Sequence, residues 1–257
     1  MSFYETITEQ KNYFLFGERG LVETPAHFHS AMEIHFVEEG CLDILLDGEK
    51  RTLQAGDACF CDSFTVHAIP APKQVKSYHL VALKETFEGV FSLFNGRVPP
   101  RFFHFESFPL LRSLLDVCNQ NAKNEEGRYA IFTGALRILL GEISQSTPFI
   151  PHVTERKNTL ICDLLSYAEE RPQEDLSLTS LASKFGYSKE HLSRLLHRYL
   201  SGGWKEHVNR LRVRKAHFIL SQNPEATVLE VAYACGFESP NTFYRAYKRE
   251  FGKPPRN

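Results

Sequence analysis

Between about residues 13 and 83 the apolar positions come in short runs broken by turn-forming residues, as in "EIHFVEEG", "CLDILLDGEK", "GDACF" and "SYHLVAL". Runs of this length without a helical period predict several short strands, and strands in succession favour an antiparallel barrel or sandwich. Within "LLDGEK", Asp47-Gly48 suits the positive φ of a two-residue hairpin tip. From about residue 107 the period changes. "PLLRSLLDVCNQNAKN" and "RYAIFTGALRILLGEISQS" place apolar residues three and four apart and predict two amphipathic helices over about 107–146, separated by "KNEEG". Their apolar faces need cover, from the flank of the barrel or from a second subunit. "SQSTPFIPHVTERKN" reads as a linker centred on 147–154, with Pro148 and Pro151 blocking helix continuation. Beyond it the pattern is helical throughout, with segments beginning near Thr154, Ser177, Ser188, Gly203, Thr227 and Ser239. The fold class is therefore α+β in two domains: residues 1–146, a barrel at about 13–83 with flanking helices, and an all-α domain over 155–257.

The second domain repeats itself. "LASKFGYSKEHLSRLLHRY" and "VAYACGFESPNTFYRAYKREF" share a helix ending in Gly, an aromatic residue, a Ser able to cap the next helix, then an apolar residue with Arg two positions on: Leu192 and Arg194, Phe243 and Arg245. That order predicts two helix-turn-helix units. Ala182 and Ala232, each four residues before the Gly, leave room for the second helix to cross the first, while Gly186 and Gly236 can take the left-handed conformation that redirects the chain. Pro240 follows Ser239 at the first helical position, where a missing N–H costs nothing. The intervening helix, roughly Trp204 to Ser221, would be about 27 Å long, comparable to the roughly 34 Å repeat of B-DNA.

Charge separates the two parts. The 30 Lys+Arg and 31 Asp+Glu nearly cancel, yet they divide as 13 and 19 up to residue 150 and as 17 and 12 after it. The basic excess gathers in "NRLRVRKAH" and "RAYKREFGKPPR", at Arg210, Arg212, Arg214, Lys215, Arg245, Lys248 and Arg249, and two such runs point to a polyanion partner. The six cysteines, Cys41, Cys59, Cys61, Cys118, Cys162 and Cys235, show no CxxC pairing and read as reduced, packed thiols. The opening "MSFYETITEQKNYFLF" carries acids and no cleavage-site pattern, and no apolar run approaches a membrane span, so a cytoplasmic protein without a membrane partner is expected.

Residues 155–255 resemble the DNA-binding domain of AraC-type transcription regulators, most specifically in "VAYACGFESPNTFYRAYKREFGKPP" preceded by "NRLRVRKAHFIL". Members of that family place the helices beginning at Ser188 and Ser239 in the major groove. The resemblance thus implies double-stranded DNA as partner, with base-edge roles for Lys189, Glu190, Ser193, Arg194, Asn241, Tyr244 and Arg245. Arg194 and Arg245 carry forks suited to guanine, Asn241 can pair with adenine and Glu190 can accept from cytosine, although an outward Arg serves a phosphate equally well. Pro240 departs from the polar residue common in the family and reads no hydrogen-bond pattern. Lys205, Lys248, Arg249 and Lys253 suit the phosphate backbone. Leu181, Phe185, Leu192, Leu195, Leu196, Val231, Phe237, Phe243 and Tyr247 follow helical spacing and are expected in the core.

One stretch of the first domain carries chemistry. "PAHFHSAMEIHFVEEG" sets His27, His29, Glu33 and His35 at one parity, so an unbroken strand would gather them on one face with Met32, Ile34 and Phe36 on the other. His67 follows in "AGDACFCDSFTVHAI". The order H-x-H-x3-E-x6-G, from His27 to Gly40, with that later His, resembles the two motifs of the cupin barrel. Two positions depart from it: the interval from Gly20 to His27 is one residue longer, and Asp62 replaces a common proline. In cupin enzymes the matching positions bind iron, manganese or zinc, which implies His27, His29, Glu33 and His67 as ligands of a divalent transition metal if one is present. AraC-type regulators also carry such barrels, as small-molecule sensors without catalytic use.

The expected function is a sequence-specific, homodimeric transcription regulator, not an enzyme. Its cupin-like barrel binds a small-molecule effector, a sugar being one candidate, through His27, His29, Glu33, His35 and His67, with no metal, cofactor or catalytic residue. The alternative is a metal-dependent cupin enzyme, an isomerase or dioxygenase, fused to a DNA-binding domain. His35 is also open to a plain reading as a satisfied core histidine.

Overall fold

One long strand lays out the first half of the chain. The computed structural model describes residues 3–5, 13–70, 74–120, 124–152, 159–200, 202–223 and 225–255. Its opening strands are β1 (Phe3–Tyr4), β2 (Phe14–Glu18), β3 (Thr24–Phe28), β4 (Met32–Leu46), β5 (Glu49–Gln54), β6 (Asp57–Cys61), β7 (His67–Ile69) and β8 (Val75–Ala82). The first part of β4 pairs antiparallel with β8 and β6, Glu33 lying opposite both Val81 and Cys61. The second part pairs with β5 and β7, Leu46 lying opposite Glu49 and His67. The change of partners happens where the β4–β8 register shifts between Val37 and Glu39. There Gly40 has φ +78°, and a Cβ on it would stand 2.2 Å from the Gln74 carbonyl oxygen. Only glycine lets the strand bend so close to its neighbour. The hairpin tip forms as expected, with Asp47 at φ 51° and Gly48 at φ 86°.

Alternation along β4 sorts its side chains. Met32, Ile34 and Phe36 join a core with Phe87, Phe132, Leu136 and Leu140, while Val37, Leu42, Ile44 and Leu46 join Leu53, Cys59, Cys61 and Ile69 in a second cluster. The first core lies under α1 (Lys84–Phe91), α2 (Phe108–Gln120) and α3 (Glu125–Ser146), so the barrel flank covers the helices' apolar faces. Helix α1 has no counterpart in the sequence expectations. Its eight residues span barely two turns, and Phe87, Val90 and Phe91 earn it a place through tertiary burial, not periodicity. β9 (Arg97–Val98) and β10 (Phe102–His104) were likewise too short to signal themselves.

Two expectations need correction. The strand carrying the histidines is not unbroken, since β3 ends at Phe28 and β4 restarts at Met32. The expected linker is in part tied down: Ile150–Pro151 forms β11 against β9, Phe149 stacks near Phe94 at 4.8 Å, and His152 binds Asp62 at 2.7 Å. Phe149 packs against the core, while Ile150, still exposed, is held by its backbone pairing with Val98. Residues 153–158, which include the expected helix start at Thr154, lie outside the described residues.

The chain divides into two compact units, Met1–Lys157 and Asn158–Asn257. The second holds α4 (Thr159–Glu170), α5 (Leu178–Phe185), α6 (Lys189–Tyr199), α7 (Gly203–Gln222), α8 (Val228–Ala234) and α9 (Pro240–Phe251). Ser177, Ser188 and Thr227 cap α5, α6 and α8 by accepting from backbone N–H groups three residues on. Gly186 ends α5 at φ +73°, and Gly236 has φ +91° with its missing Cβ site 2.9 Å from the Gln173 carbonyl oxygen. Leu181, Leu192, Leu196, Val231, Phe237, Phe243 and Tyr247 are buried, whereas Phe185 and Leu195 are half-buried.

Helix α7 is fastened to the segment after α4. Trp204 Nε1 donates to Leu176 O at 2.7 Å, Arg212 donates to Pro172 O at 2.7 Å and Glu174 O at 2.8 Å, and Lys215 reaches Gln173 at 2.6 Å. Arg214 pairs with Glu250 of α9 at 2.5 Å. Three basic residues of "NRLRVRKAH" thus brace the fold, which corrects their reading as part of a polyanion surface.

Gly40→Ala should destabilise the protein by about 1–3 kcal/mol or more in urea denaturation, through its positive φ and the clash with Gln74. Gly134→Ala, inside α3 where a Cβ meets nothing within 4 Å, should be stabilising by roughly 0.5–1 kcal/mol. Equal responses would contradict the bend at Gly40.

Candidate functional sites

Despite the interrupted strand, the histidines converge. His27 lies opposite His67 in the β3–β7 pairing, His29 sits in the turn before β4, and Glu33 and His35 project from β4 on the side away from Ile34. All five are buried, Glu33 being 7% exposed and His67 2%. Glu33 is the hub. Its Oε1 lies 2.9 Å from His29 Nε2, its Oε2 2.8 Å from His35 Nε2 and 3.6 Å from His67 Nε2.

The backbone sets the tautomers. Nδ1 of His27 lies 2.9 Å from Pro25 O, that of His29 3.1 Å from Ala31 O, and that of His67 2.9 Å from Thr65 O. A carbonyl only accepts, so each Nδ1 carries a proton and points Nε2 at the cluster; Nε2 of His29, facing the ionised Glu33, carries a second proton that a metal ion would displace. This is the outer-shell arrangement that orients metal-ligating histidines. One donor atom from each of His27, His29, Glu33 and His67 lies within 4.8 Å of the others. Three imidazoles and a carboxylate at that spacing fit a divalent transition metal, while His35 stands behind Glu33. A sugar ring does not fit between atoms this close.

Protonation follows from the same contacts. Burial alone would lower His29 and His67, but their bonds and attraction to Glu33 raise both, and His35, beside Cys61 and Glu33, is raised to about 9. Burial would raise Glu33, yet His67, His29 and His35 hold it well below the usual carboxylate range. His27 is lowered to about 4 by burial and by His67. Burial and the neighbouring His35 lower His79 to about 4. The sequence reading passed over His79, opposite His35, and also Tyr13 and Arg19 near β2. Short β2 gave too little pattern to reveal which of its residues face inward.

In the second unit the exposed faces of α6 and α9 carry the expected residues. Lys189, Glu190, Ser193, Arg194, Lys205, Asn241, Tyr244, Arg245, Lys248 and Arg249 are all exposed, on the side of each helix away from buried Leu192, Leu196, Phe243 and Tyr247. Among the described residues no ion pair holds Lys189, Arg194, Lys205, Arg245 or Lys248, whereas Arg249 pairs with Glu206 at 3.2 Å. A cleft of about 730 Å³ is bordered by Ser193 and His197 of α6, Lys205 and Asn209 of α7, and Ser239 and Thr242 at the start of α9. The two helices therefore share one concave surface. His197, Asn209 and Thr242 were absent from the sequence expectations because only the fold brings them there.

Comparison with known proteins gives two domain matches, "Helix-turn-helix domain" over residues 181–257 and "Cupin domain" over residues 18–81. A protein named HTH-type transcriptional activator RhaS from Enterobacter sp. (strain 638) is 24% identical over 241 residues, 90% of this chain and 86% of its own length. The protein of that name from Shigella sonnei (strain Ss046) is 25% identical over 247 residues, 91% of this chain and 86% of its own. Among solved structures, ToxT from Vibrio cholerae O395 aligns over 94% of this chain and 95% of its own with 10% identity and a TM-score of 0.40. No helix of the described residues is long and apolar enough to cross a membrane.

For metal-free protein, stability should peak near pH 6.5. His27 and His79, with folded values near 4, stay neutral in the fold while the unfolded chain takes up protons below about 6.5, so stability falls towards pH 4. His29, His35 and His67 are raised, so their contribution is full below about 6.5 and is lost as pH climbs through their folded values, about 9 for His35. Urea denaturation across pH 4–9 checks this, and a steady rise to pH 9 would contradict it. Glu33→Gln should cost about 3–5 kcal/mol, because it leaves charged histidines buried without their counter-ion.

Proposed function

Starting from the chain's membership of the AraC-type transcription regulators, with a cupin domain ahead of the helix-turn-helix domain, we propose that it reads DNA with α6 and α9 and adjusts that reading to a small molecule taken up by the barrel. The observation that carries the DNA half is the shared concave surface: α6 and α9 border one cleft through Ser193, His197, Ser239 and Thr242 beside Lys205, their exposed faces carry cations that no ion pair holds among the described residues, and the strut α7 is braced by Trp204, Arg212 and Arg214. Lys189, Glu190, Ser193, Arg194, Asn241, Tyr244 and Arg245 take the base edges, and Lys205, Lys248 and Arg249 the phosphates. The protein acts in the cytoplasm as a homodimer paired through α2 and α3, where Ile138 is 53% exposed.

In the barrel, His27, His29, Glu33, His35 and His67 form the polar floor on which the effector rests. A sugar suits hydrogen-bonding imidazoles and a carboxylate, and it shifts the protein by binding one arrangement more tightly than another. The cluster performs no catalysis in this reading.

A metal-dependent cupin enzyme is the second reading, favoured by one observation, the three Nδ1–carbonyl bonds that aim Nε2 inward. His27, His29, His67 and Glu33 would hold the ion, which supplies a Lewis-acidic anchor for an oxygen ligand. Elemental analysis of purified protein decides whether the ion is there: a stoichiometric transition metal lost in His27→Ala/His29→Ala supports a metal centre, and turnover of a bound substrate is needed to make it an enzyme.

Binding to the protein's own upstream DNA, followed by fluorescence anisotropy, tests the leading proposal. Arg194→Ala and Arg245→Ala should each cost about 1–3 kcal/mol and relax sequence selectivity. Lys205→Ala and Lys248→Ala should weaken all sequences alike and reduce the salt slope by about one. Loss of DNA binding only in variants that also lose folding stability, such as Arg212→Ala, would count against it.

A further inference from the structure

The inward face of β2 and β8 leads from the surface to the histidine cluster. Phe14 and Phe16 of β2, like Tyr78, Leu80 and Ala82 of β8, pack into the core under the helices, so alternation turns Leu15, Gly17, Arg19, Ser77, His79 and Val81 the other way. Gly17 lies opposite His79, the Arg19 N–H donates to Ser77 O at 2.8 Å, and His79 lies opposite His35. This face is open at its outer end. Leu15 is 43% exposed, and a Cβ on Gly17 would meet nothing within 4 Å.

Arg19 stands out on this face as a cation with little surface, 9% exposed. Its guanidinium donates only to neutral groups: Val22 O at 2.7 Å, Thr24 Oγ1 at 2.5 Å and Gly20 O at 3.4 Å. Among the described residues no carboxylate ion-pairs with it. Glu33, whose field reaches it, is already committed to His29 and His35. A buried guanidinium without a counter-ion is costly unless an anion is supplied. Beside it, Ser77 Oγ and His79 Nδ1 are buried with no hydrogen-bond partner among the described residues, and Ser77 is fully buried. Unsatisfied hydroxyl and imidazole groups next to an uncompensated cation form a matched set.

We propose that the effector is a small polyhydroxylated carboxylate, of the aldonate or uronate class, whose carboxylate pairs with Arg19 and whose hydroxyls bond Ser77 and His79. The inference rests on the barrel being the effector site. It narrows the ligand to an acid, because Arg19 carries a positive charge that no carboxylate among the described residues pairs with, and a neutral sugar would leave that charge unanswered.

Thermal unfolding of the full-length protein with D-gluconate, D-glucuronate and D-galacturonate, each beside neutral D-glucose, D-galactose and D-glucitol at equal concentration and ionic strength, tests it. At least one acid should raise Tm while its neutral counterparts do not. The shift should vanish in Arg19→Gln, return in part in Arg19→Lys, and shrink in Ser77→Ala, which removes an unpaired hydroxyl and so leaves the ligand-free Tm equal or higher. Gly17→Val, filling open space on a strand, should also abolish the shift and stands in if Arg19→Gln fails to fold. A neutral sugar that shifts wild type and Arg19→Lys alike, or an acid shift unchanged in Gly17→Val and Ser77→Ala, overturns the acid assignment while leaving a sensing barrel intact. No shift with any of the six compounds overturns the assignment and counts against the sensing barrel as well.

Discussion

A carboxylate sealed inside a barrel is tolerated only if its charge is answered, and Glu33 is answered by three imidazoles at 2.8, 2.9 and 3.6 Å. That demand fixes much of the first unit. It requires the turn at residues 29–31 that swings His29 over Glu33, the β3–β7 pairing that sets His27 beside His67, and the backbone carbonyls that hold His27, His29 and His67 by their Nδ1 atoms. It also requires β4 to continue past the cluster and bend at Gly40 so that β7 comes alongside. All of the cluster but His29 sits on strands, which keeps its geometry rigid, and the helices over the opposite face of β4 exclude water from behind.

The cluster is also connected to the end of its unit. Cys61 lies opposite Glu33, and the next residue, Asp62, binds His152, the last described residue before 153–158. The Glu33 side of β6 thus lies one residue from a contact that fastens the end of the first unit.

Much of the second unit was legible because it repeats. Helix starts at Ser177, Ser188 and Thr227 were marked by residues that do cap them, that of α9 by Pro240, since the expected cap Ser239 makes no side-chain capping bond, and the glycines at 186 and 236 by the turn they must make. The basic run "NRLRVRKAH" misled because charge in a sequence does not say what it faces. Arg212 and Lys215 turn back onto the loop after α4, and Arg214 onto Glu250. In the first unit, parity placed Glu33 and His35 correctly against Met32, Ile34 and Phe36. His27 and His29 reached the same spot by a turn that parity did not foresee. Arg19, Ser77 and His79 stayed hidden, because what marks them, a buried guanidinium without a carboxylate and two buried polar atoms without a hydrogen-bond partner among the described residues, is visible only once the strands are paired.

The central claim is that two helices of one short domain read DNA together. Hydroxyl-radical footprinting of the full-length protein on its own upstream DNA tests this most directly. The account predicts two protected segments on one face of the duplex, about one helical turn or roughly 34 Å apart for each bound subunit, with Arg194→Ala weakening one segment and Arg245→Ala the other. A single protected segment, or protection independent of sequence, would contradict it.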